Sequence, residues 1–185
     1  MSPTSGHDGT ILKERIDSVT TIRLSLARRD DAADIAEMSR CHIEQGLPWS
    51  WNEARVLRCI VHPESVVLVA RDRRRLAGFA IMEFHDEDAH LNLLAVKPGY
   101  RRRGIGMRLI EWLESSARTA GTFLVRLELR AGNDAARRFY SKLGYREVGK
   151  RRGYYSGRED ALCMAHDLRV ADFSGLESFQ WKRQP

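Results

Sequence analysis

No apolar run in this chain approaches membrane-spanning length, so nothing in it reads as a transmembrane helix. Its three cysteines, Cys41, Cys59 and Cys163, are scattered without paired spacing. That excludes a disulfide framework and a zinc-type cysteine set, and it suits a reducing, cytoplasmic compartment. The histidines, His7, His42, His62, His85, His90 and His166, lack metal-ligand spacing as well, so no metal is expected. Cys41 and His42 are adjacent and read as the end of a helix. The first residues, MSPTSGHDGT, are small and polar and lack the apolar centre of a secretory signal. No internal repeat and no second domain is evident. The net charge of +6 permits acidic partners. No aromatic-interleaved basic stripe accompanies it, which argues against a nucleic-acid-binding module.

What is present suits one globular domain. The 185 residues are 43% hydrophobic and 30% charged, enough for a real core. Residues 1–19 read as a flexible leader, 20–168 as the domain and 169–185 as a polar tail. Within the domain, Thr21–Ala27 alternates as a first strand. Asp30 or Asp31 is placed to cap a helix reaching about His42, with Ile35, Met38 and Cys41 as its buried stripe. A second helix runs from about Asn52 to Val61. Strands follow at Ser65–Arg71 and Leu76–His85, joined by an arginine-rich hairpin, Arg71–Arg75, that reads as a solvated charge run. A fourth strand ends at Val96. Ile105, Leu109, Leu113 and Ala117 then repeat at four-residue spacing, with Arg108, Glu111, Glu114 and Arg118 on the more polar side. Leu124–Arg130 alternates cleanly, with Val125, Leu127 and Leu129 on one face and Arg126, Glu128 and Arg130 on the other. Asn133 or Asp134 caps a last helix that Gly144 closes, and Tyr145–Gly149 and Ala161–Leu168 complete the strands.

Residues 93–107, LLAVKPGYRRRGIGM, carry the strongest functional signal. An apolar strand ends at Lys97, Pro98 and Gly99, and a basic, glycine-rich turn opens into a helix. Free backbone N–H groups at the positive end of a helix form an anion site. Gly104 and Gly106 let backbone approach the anion, and Arg101, Arg102 and Arg103 add charge, so a phosphate-bearing ligand is expected at Arg101–Gly106. A P-loop needs Lys and then Ser or Thr after its last glycine, where Met107 and Arg108 stand. The dinucleotide fingerprint needs a third glycine where Leu109 stands.

The remaining pattern is Arg, two residues, Gly, one residue, Gly: Arg101, Gly104 and Gly106, preceded by a strand, Pro98 and Tyr100. It resembles the pyrophosphate loop of the GNAT superfamily of acetyl-CoA-dependent N-acetyltransferases. The element order fits as well: strand, two helices, three strands, helix, strand, helix, two strands. The resemblance implies an α/β (α+β) fold, a mixed, mostly antiparallel sheet splayed between strands 4 and 5 and flanked by about four helices. Residues 126–164 are similar to the bacterial ribosomal-protein alanine N-acetyltransferase group at Glu128, Asn133, Tyr140, Gly144, Tyr154-Tyr155 and Arg158-Glu159-Asp160-Ala161. Pro48-Trp49-Ser50 resembles a loop of the same group. Two departures lie near where a substrate peptide would sit. Leu93 stands where that group has Asn, with Asn92 one place earlier, and the loop after Tyr155 is shorter.

The resemblance implies acetyl-CoA as the acetyl donor and a direct attack of a primary amine on its thioester. The cofactor contacts it implies are Leu94, Ala95, Val96, Arg101, Arg102, Arg103, Gly104, Ile105, Gly106, Met107, Asn133, Ala136 and Tyr140. Spacing alone leaves Glu128 open between a solvent-facing strand carboxylate and a base; the resemblance makes it the general base. Spacing likewise leaves Tyr140 open between a core aromatic near Ala136 and Phe139 and the acid that protonates the departing sulfur, the role the resemblance implies. Backbone N–H near Leu94–Val96 would hold the oxyanion. Trp49, Trp51, Tyr154 and Tyr155 are candidate walls of the acceptor pocket. The acceptor stays open between a protein N-terminal amine and a small amine such as an antibiotic or polyamine, and a non-catalytic CoA- or nucleic-acid-binding module is the alternative of another class. Oligomeric state is not legible.

Overall fold

The computed structural model describes residues 22–169; the leader expected over 1–19, and the tail beyond residue 169, lie outside them. The elements run β1 (Ile22–Leu26), a 3-10 turn (Arg29–Asp31), α1 (Ala32–His42), α2 (Glu53–Val61), β2 (Ser65–Asp72), β3 (Arg75–Phe84), β4 (Ala89–Val96), a second 3-10 turn (Pro98–Tyr100), α3 (Ile105–Thr119), β5 (Leu124–Arg130), α4 (Asp134–Lys142), β6 (Arg146–Tyr155) and β7 (Glu159–Asp167). The strands form one seven-stranded sheet in the order β1-β2-β3-β4-β5-β7-β6. Every neighbouring pair is antiparallel except β4 and β5.

That exception shapes the molecule. β4 and β5 pair only at Ala89–Val125 and His90–Arg126. Beyond those two positions the strands part, and the edge of β4 that faces away from β3 is left without a strand. The sheet is therefore mixed, mostly antiparallel and splayed between its fourth and fifth strands, as expected.

Both faces of the sheet are covered. Ile105, Leu109, Ile110, Leu113 and Ala117 of α3 bury against Ala80 and Met82 of β3 and Val125, Leu127 and Leu129 of β5. On the other face Ile35, Ala36 and Met38 of α1 and Val56 and Cys59 of α2 pack on Phe79 and Ile81 of β3. Alternation along each strand feeds the two cores from one chain segment.

β4 crosses from one core to the other. Ile81 lies opposite Leu93, but Met82 lies opposite Leu91, so Asn92 is an extra residue in β4. Such a bulge locally exchanges the two faces of a strand. Ala89 and Leu91 accordingly join the core under α3, while Leu93 and Ala95 join the core under α1 and α2.

Several sequence expectations need correcting. Cys41 is exposed, with its Sγ donating to Glu37 Oε1 at 3.1 Å; Ala32, Ala36 and Ser39 complete the buried stripe of α1 instead. Asp31 does not cap α1 through its side chain. Its carboxylate accepts from Arg28 N at 2.8 Å and pairs with Arg71 of β2, so the arginine-rich hairpin is not wholly solvated. Glu114, assigned to the polar side of α3, is buried and accepts from His166 Nδ1 at 3.0 Å. Finally, β6 runs on to Tyr155 rather than ending near Gly149, because it pairs along β7 as a long edge hairpin.

Candidate functional site

The parting of β4 and β5 opens a cleft of about 470 Å³. β4 lines it with Leu91, Asn92 and Leu94, and β5 with Leu127, Glu128, Leu129 and Arg130. Gly132, Asn133, Ala136 and Tyr140 close one side around the start of α4, and His42, Ile43, Gln45, Tyr155 and Glu159 complete it. Asn133 caps α4, its Oδ1 accepting from Ala136 N at 3.0 Å. This is an α/β domain with a cleft where two parallel strands part, a position where ligands of open sheets bind.

The glycine turn follows β4 directly. Gly104 is the N-cap of α3, with φ of +73°. A side chain there would be strained by the left-handed backbone, at a cost of about 1–2 kcal/mol. Among the described residues, nothing beyond the neighbouring chain lies within 4 Å of the place its Cβ would take. Gly106 has a different reason: a Cβ there would meet the Phe139 ring at 3.2 Å, so it admits the close approach of α4 to α3. Arg101 Nε donates to Val96 O at 3.0 Å and ties the turn back to the end of β4. Arg103 stands over the Tyr100 ring at 5.5 Å, and Tyr100 OH donates to Asp72 Oδ2 at 3.1 Å. Arg102 itself holds a positive φ of 63°. Met107 is exposed and Ile105 buried.

Glu128 sits on the face of β5 opposite Leu127 and Leu129. Its side chain is only 5% exposed. Oε2 lies 2.6 Å from His90 Nε2, and Oε1 accepts from Arg151 at 3.2 Å. Burial pushes the Glu128 carboxyl up, but the His90 ring and Arg151 outweigh it and hold it below the usual carboxylate range. The His90 ring shows the converse. Burial pushes it down, but Glu128, Asn92 and the charge of Glu83 outweigh that and raise it above the usual histidine value. Each partner favours the charged form of the other. His90 and Arg151 were not singled out in the sequence. His90 and Asn92 are the two polar residues in the alternation of AHLNLLAV, and that was the available signal. Arg151 reaches Glu128 only through the pairing of β6 with β7 and of β7 with β5, which no local pattern reveals.

Tyr140 is buried, with its ring edge-on to Phe139 at 5.1 Å and to Tyr145 at 5.4 Å. Burial raises its hydroxyl well above the ordinary tyrosine value, with Tyr155 adding to the shift. It stays protonated throughout the physiological range.

The acceptor-side candidates do not all meet at the cleft. Tyr155 lines it; Tyr154, Trp49 and Trp51 do not. Trp51 is buried in the core under α1 and α2, covered by Arg55 at 3.9 Å. Trp49 is exposed, and its indole N–H donates to Trp51 O at 3.2 Å. The loop that carries them is held by Glu44, a buried carboxylate that accepts from Ser39 Oγ, Ser50 N and Oγ and Trp51 N. Arg130 ties the start of the same loop to the sheet: it donates to Ile43 O at 3.1 Å and Gln45 O at 2.6 Å, and it pairs with Glu159 at 3.3 Å. Neither Glu44 nor Arg130 was assigned a site role from sequence.

Known proteins bear on this geometry. Residues 63–147 match the family described as the acetyltransferase (GNAT) domain. The N-alpha-acetyltransferase RimI of Mycobacterium tuberculosis is 32% identical over 152 residues, 79% of this chain and 92% of that one. The ribosomal protein bS18-alanine N-acetyltransferase of Salmonella typhimurium is 43% identical over 94 residues; that match covers 49% of this chain and spans only 64% of the relative's length. The crystal structure of the ribosomal-protein-S18-alanine N-acetyltransferase from Escherichia coli superposes with a TM-score of 0.67 at 31% identity, over 87% of this chain and all of that one. The chain belongs to the GNAT acetyltransferase family.

Proposed function

We propose that the protein is an acetyl-CoA-dependent N-acetyltransferase that moves an acetyl group to a primary amine, with a protein N-terminal amine as the favoured acceptor. The observation that carries this is the splay of β4 from β5, with a nearly enclosed carboxylate, Glu128, and an un-ionised phenol, Tyr140, both bordering it. The fit of the donor rests on the turn that follows β4. Gly104 opens α3 in a left-handed conformation with open space beside it, and Arg101–Met107 are the candidates to hold a pyrophosphate through backbone N–H and guanidinium groups. Leu94–Val96, Asn133, Ala136 and Tyr140 are the candidates along the pantetheine and thioester.

The chemistry divides among these residues. Glu128, directly or through a water, takes a proton from the amine nitrogen as that nitrogen bonds to the thioester carbonyl carbon. Backbone N–H groups on the open edge of β4 receive the developing oxyanion. Tyr140 gives its proton to sulfur as the carbon–sulfur bond breaks. The N-terminal acceptor is favoured by the activities after which the relatives are named and by the open reach of the cleft from the end of α1 to the β6–β7 hairpin. A small amine remains the second reading, because Glu159 adds a carboxylate to the same cleft. A cytoplasmic site of action is part of this reading and rests on the free cysteines Cys41, Cys59 and Cys163, which suit a reducing compartment. The acetyltransferase domain of this proposal spans residues 20–168.

The test is a thioester-cleavage assay with acetyl-CoA against a panel of N-terminal peptides and small amines. Turnover with peptides and not with antibiotics or polyamines is expected; the reverse preference moves the acceptor assignment, and no turnover with any amine overturns the enzymatic reading. Binding is read separately. Gly104→Glu places bulk, strain and negative charge at the turn and is expected to remove acetyl-CoA binding in calorimetry, while full affinity in that variant would separate the turn from the donor.

A further inference from the structure

The carboxylate of Glu128 is one member of a line of four side chains. Asn92 Oδ1 lies 2.9 Å from His90 Nδ1, His90 Nε2 lies 2.6 Å from Glu128 Oε2, and Arg151 holds Glu128 Oε1 at 3.2 Å. Asn92 and Glu128 border the cleft, and His90 joins them. The topology brings them together twice over. His90 lies at the last paired position before β4 and β5 part, and Asn92 is the bulged residue of β4. We propose that His90 is a positioning residue for the acetyl transfer, taking over from Glu128 the proton drawn from the amine, so that the Glu128–His90 pair is the base. This rests on the acetyl-transfer reading above.

Asn92 sets the chemistry of the ring. Its Oδ1 accepts the proton on Nδ1, which leaves Nε2 as the nitrogen that gains and loses a proton. In the deprotonated pair the Nε2 lone pair faces the Glu128 carboxylate, and a shared proton relieves that repulsion. The amine nitrogen forms its bond to the carbonyl carbon, its surplus proton reaches Glu128, and it passes from Oε2 to Nε2. The electron pair of the broken carbon–sulfur bond leaves on sulfur, which takes its proton from Tyr140. The imidazolium then returns its proton to solvent, its side chain being 26% exposed, and the Tyr140 phenolate takes a proton back from solvent, which closes the cycle. Glu128 alone, held below the usual carboxylate range by its cationic neighbours, would be a weak base. The other groups around the pair are Glu83 of β3, which also favours the imidazolium; Arg126 of β5, itself paired with Asp88 at 2.8 Å; Tyr154 of β6; and the thiol of Cys163 on β7, which the nearby carboxylate helps to keep protonated.

The experiment is the pH dependence of kcat at saturating acetyl-CoA and peptide, alongside the pH titration of the His90 ring by NMR. In the wild type the acidic limb of kcat is expected to coincide with the ring titration, above the ordinary histidine range. His90→Gln is expected to abolish that limb and lower the plateau about tenfold to a hundredfold, with acetyl-CoA affinity unchanged. Asn92→Asp, which places a carboxylate on Nδ1, is expected to move both the limb and the ring titration to higher pH, and it decides the matter if His90→Gln does not fold. A limb that is unmoved in either folded variant, or a His90 ring that does not titrate with the rate, overturns the proposal and leaves the acetyl-transfer reading intact. No turnover by the wild type with any amine overturns both.

Discussion

Two glutamate–histidine pairs lie on opposite faces of the sheet, and burial does not tell them apart. Glu128 and His90 are 5% and 26% exposed; Glu114 and His166 are 8% and 19% exposed. What differs is the company each keeps. Glu128 has a second cation on its other oxygen, Arg151 at 3.2 Å, and its histidine has Asn92 on the far nitrogen. Glu114 has the more distant Arg118, at 3.9 Å, beyond His166, and the buried Tyr145 hydroxyl close by. The His166 ring lies on Tyr145 at 5.1 Å and over Gly144, whose missing Cβ would stand 2.7 Å from Nε2. One pair borders the cleft between parted strands; the other pins α3 to β7. A buried acid–base pair reads as catalytic when the polar network around it opens onto a cavity, and as structural when rings and backbone close over it.

The largest expected effect breaks this comparison at Glu128. Glu128→Gln keeps the shape and removes the charge, and kcat is expected to fall by ~10²–10⁴ with acetyl-CoA affinity nearly unchanged. Stability responds as well, with a sign set by the two shifted groups. The lowered carboxyl of Glu128 contributes stability above its unfolded pKa and loses it as pH falls through the folded value. The raised His90 contributes below its unfolded pKa and loses that as pH rises through its folded value. The pair therefore stabilises most at mildly acidic pH, and the melting temperatures of wild type and Glu128→Gln are expected to differ most there, less at alkaline pH where the His90 part is lost, and least at strongly acidic pH where Glu128 is protonated. An unchanged pH–rate profile in the variant would leave Glu128 as a surface carboxylate that happens to be covered.

Glu114→Gln is expected to give the opposite result. Its loss leaves His166 without its carboxylate partner inside the core, a penalty of about 1–3 kcal/mol that appears as a lowered melting temperature. The kcat of the folded fraction is expected to match the wild type. A variant with normal stability and impaired turnover would erase the distinction between the two pairs.

The difference between the pairs also shows where sequence reasoning reaches. The alternation of Leu124–Arg130 put Glu128 on the polar face, and the four-residue repeat of α3 located its buried stripe. Both readings hold because they depend on local periodicity. Glu114 was misplaced for the same reason: the buried face of α3 is wider than a single stripe and includes Ile110 and Glu114, and a glutamate one turn from Ile110 looks exposed until His166 arrives from β7. His90 stood in a visible alternation, yet its meaning depends on the parting of β4 from β5. The bulge at Asn92 that places it belongs to the pairing of β4 with β3, and β5 begins 32 residues further on, at Leu124. Gly106 was read as making room for an anion, whereas its neighbour is Phe139, 33 residues on. Contacts made across the sheet, not along the chain, were the illegible part.

Tyr140 belongs to both regions, and the smallest expected effect decides which claim on it is stronger. Its ring packs on Tyr145, which packs in turn on His166, so it continues the structural cluster. The same residue borders the cleft with Glu128. Tyr140→Phe removes only the hydroxyl. The ring stays beside Phe139 and Tyr145, and edge-on aromatic pairs of this kind, worth about 0.5–1.5 kcal/mol each, are retained. The melting temperature is therefore expected to change little. If Tyr140 gives its proton to the leaving sulfur, single-turnover acetyl transfer slows while acetyl-CoA binding does not. The slowing is modest, because an unperturbed thiol ionises near pH 8.5 and a thiolate is already a fair leaving group at neutral pH. The slowing is visible only where departure of sulfur, not deprotonation of the amine, limits the step, so the comparison is made at one pH above the acidic limb. Equal single-turnover rate constants and equal melting temperatures in the two forms would assign Tyr140 to the core and leave solvent as the proton donor to sulfur.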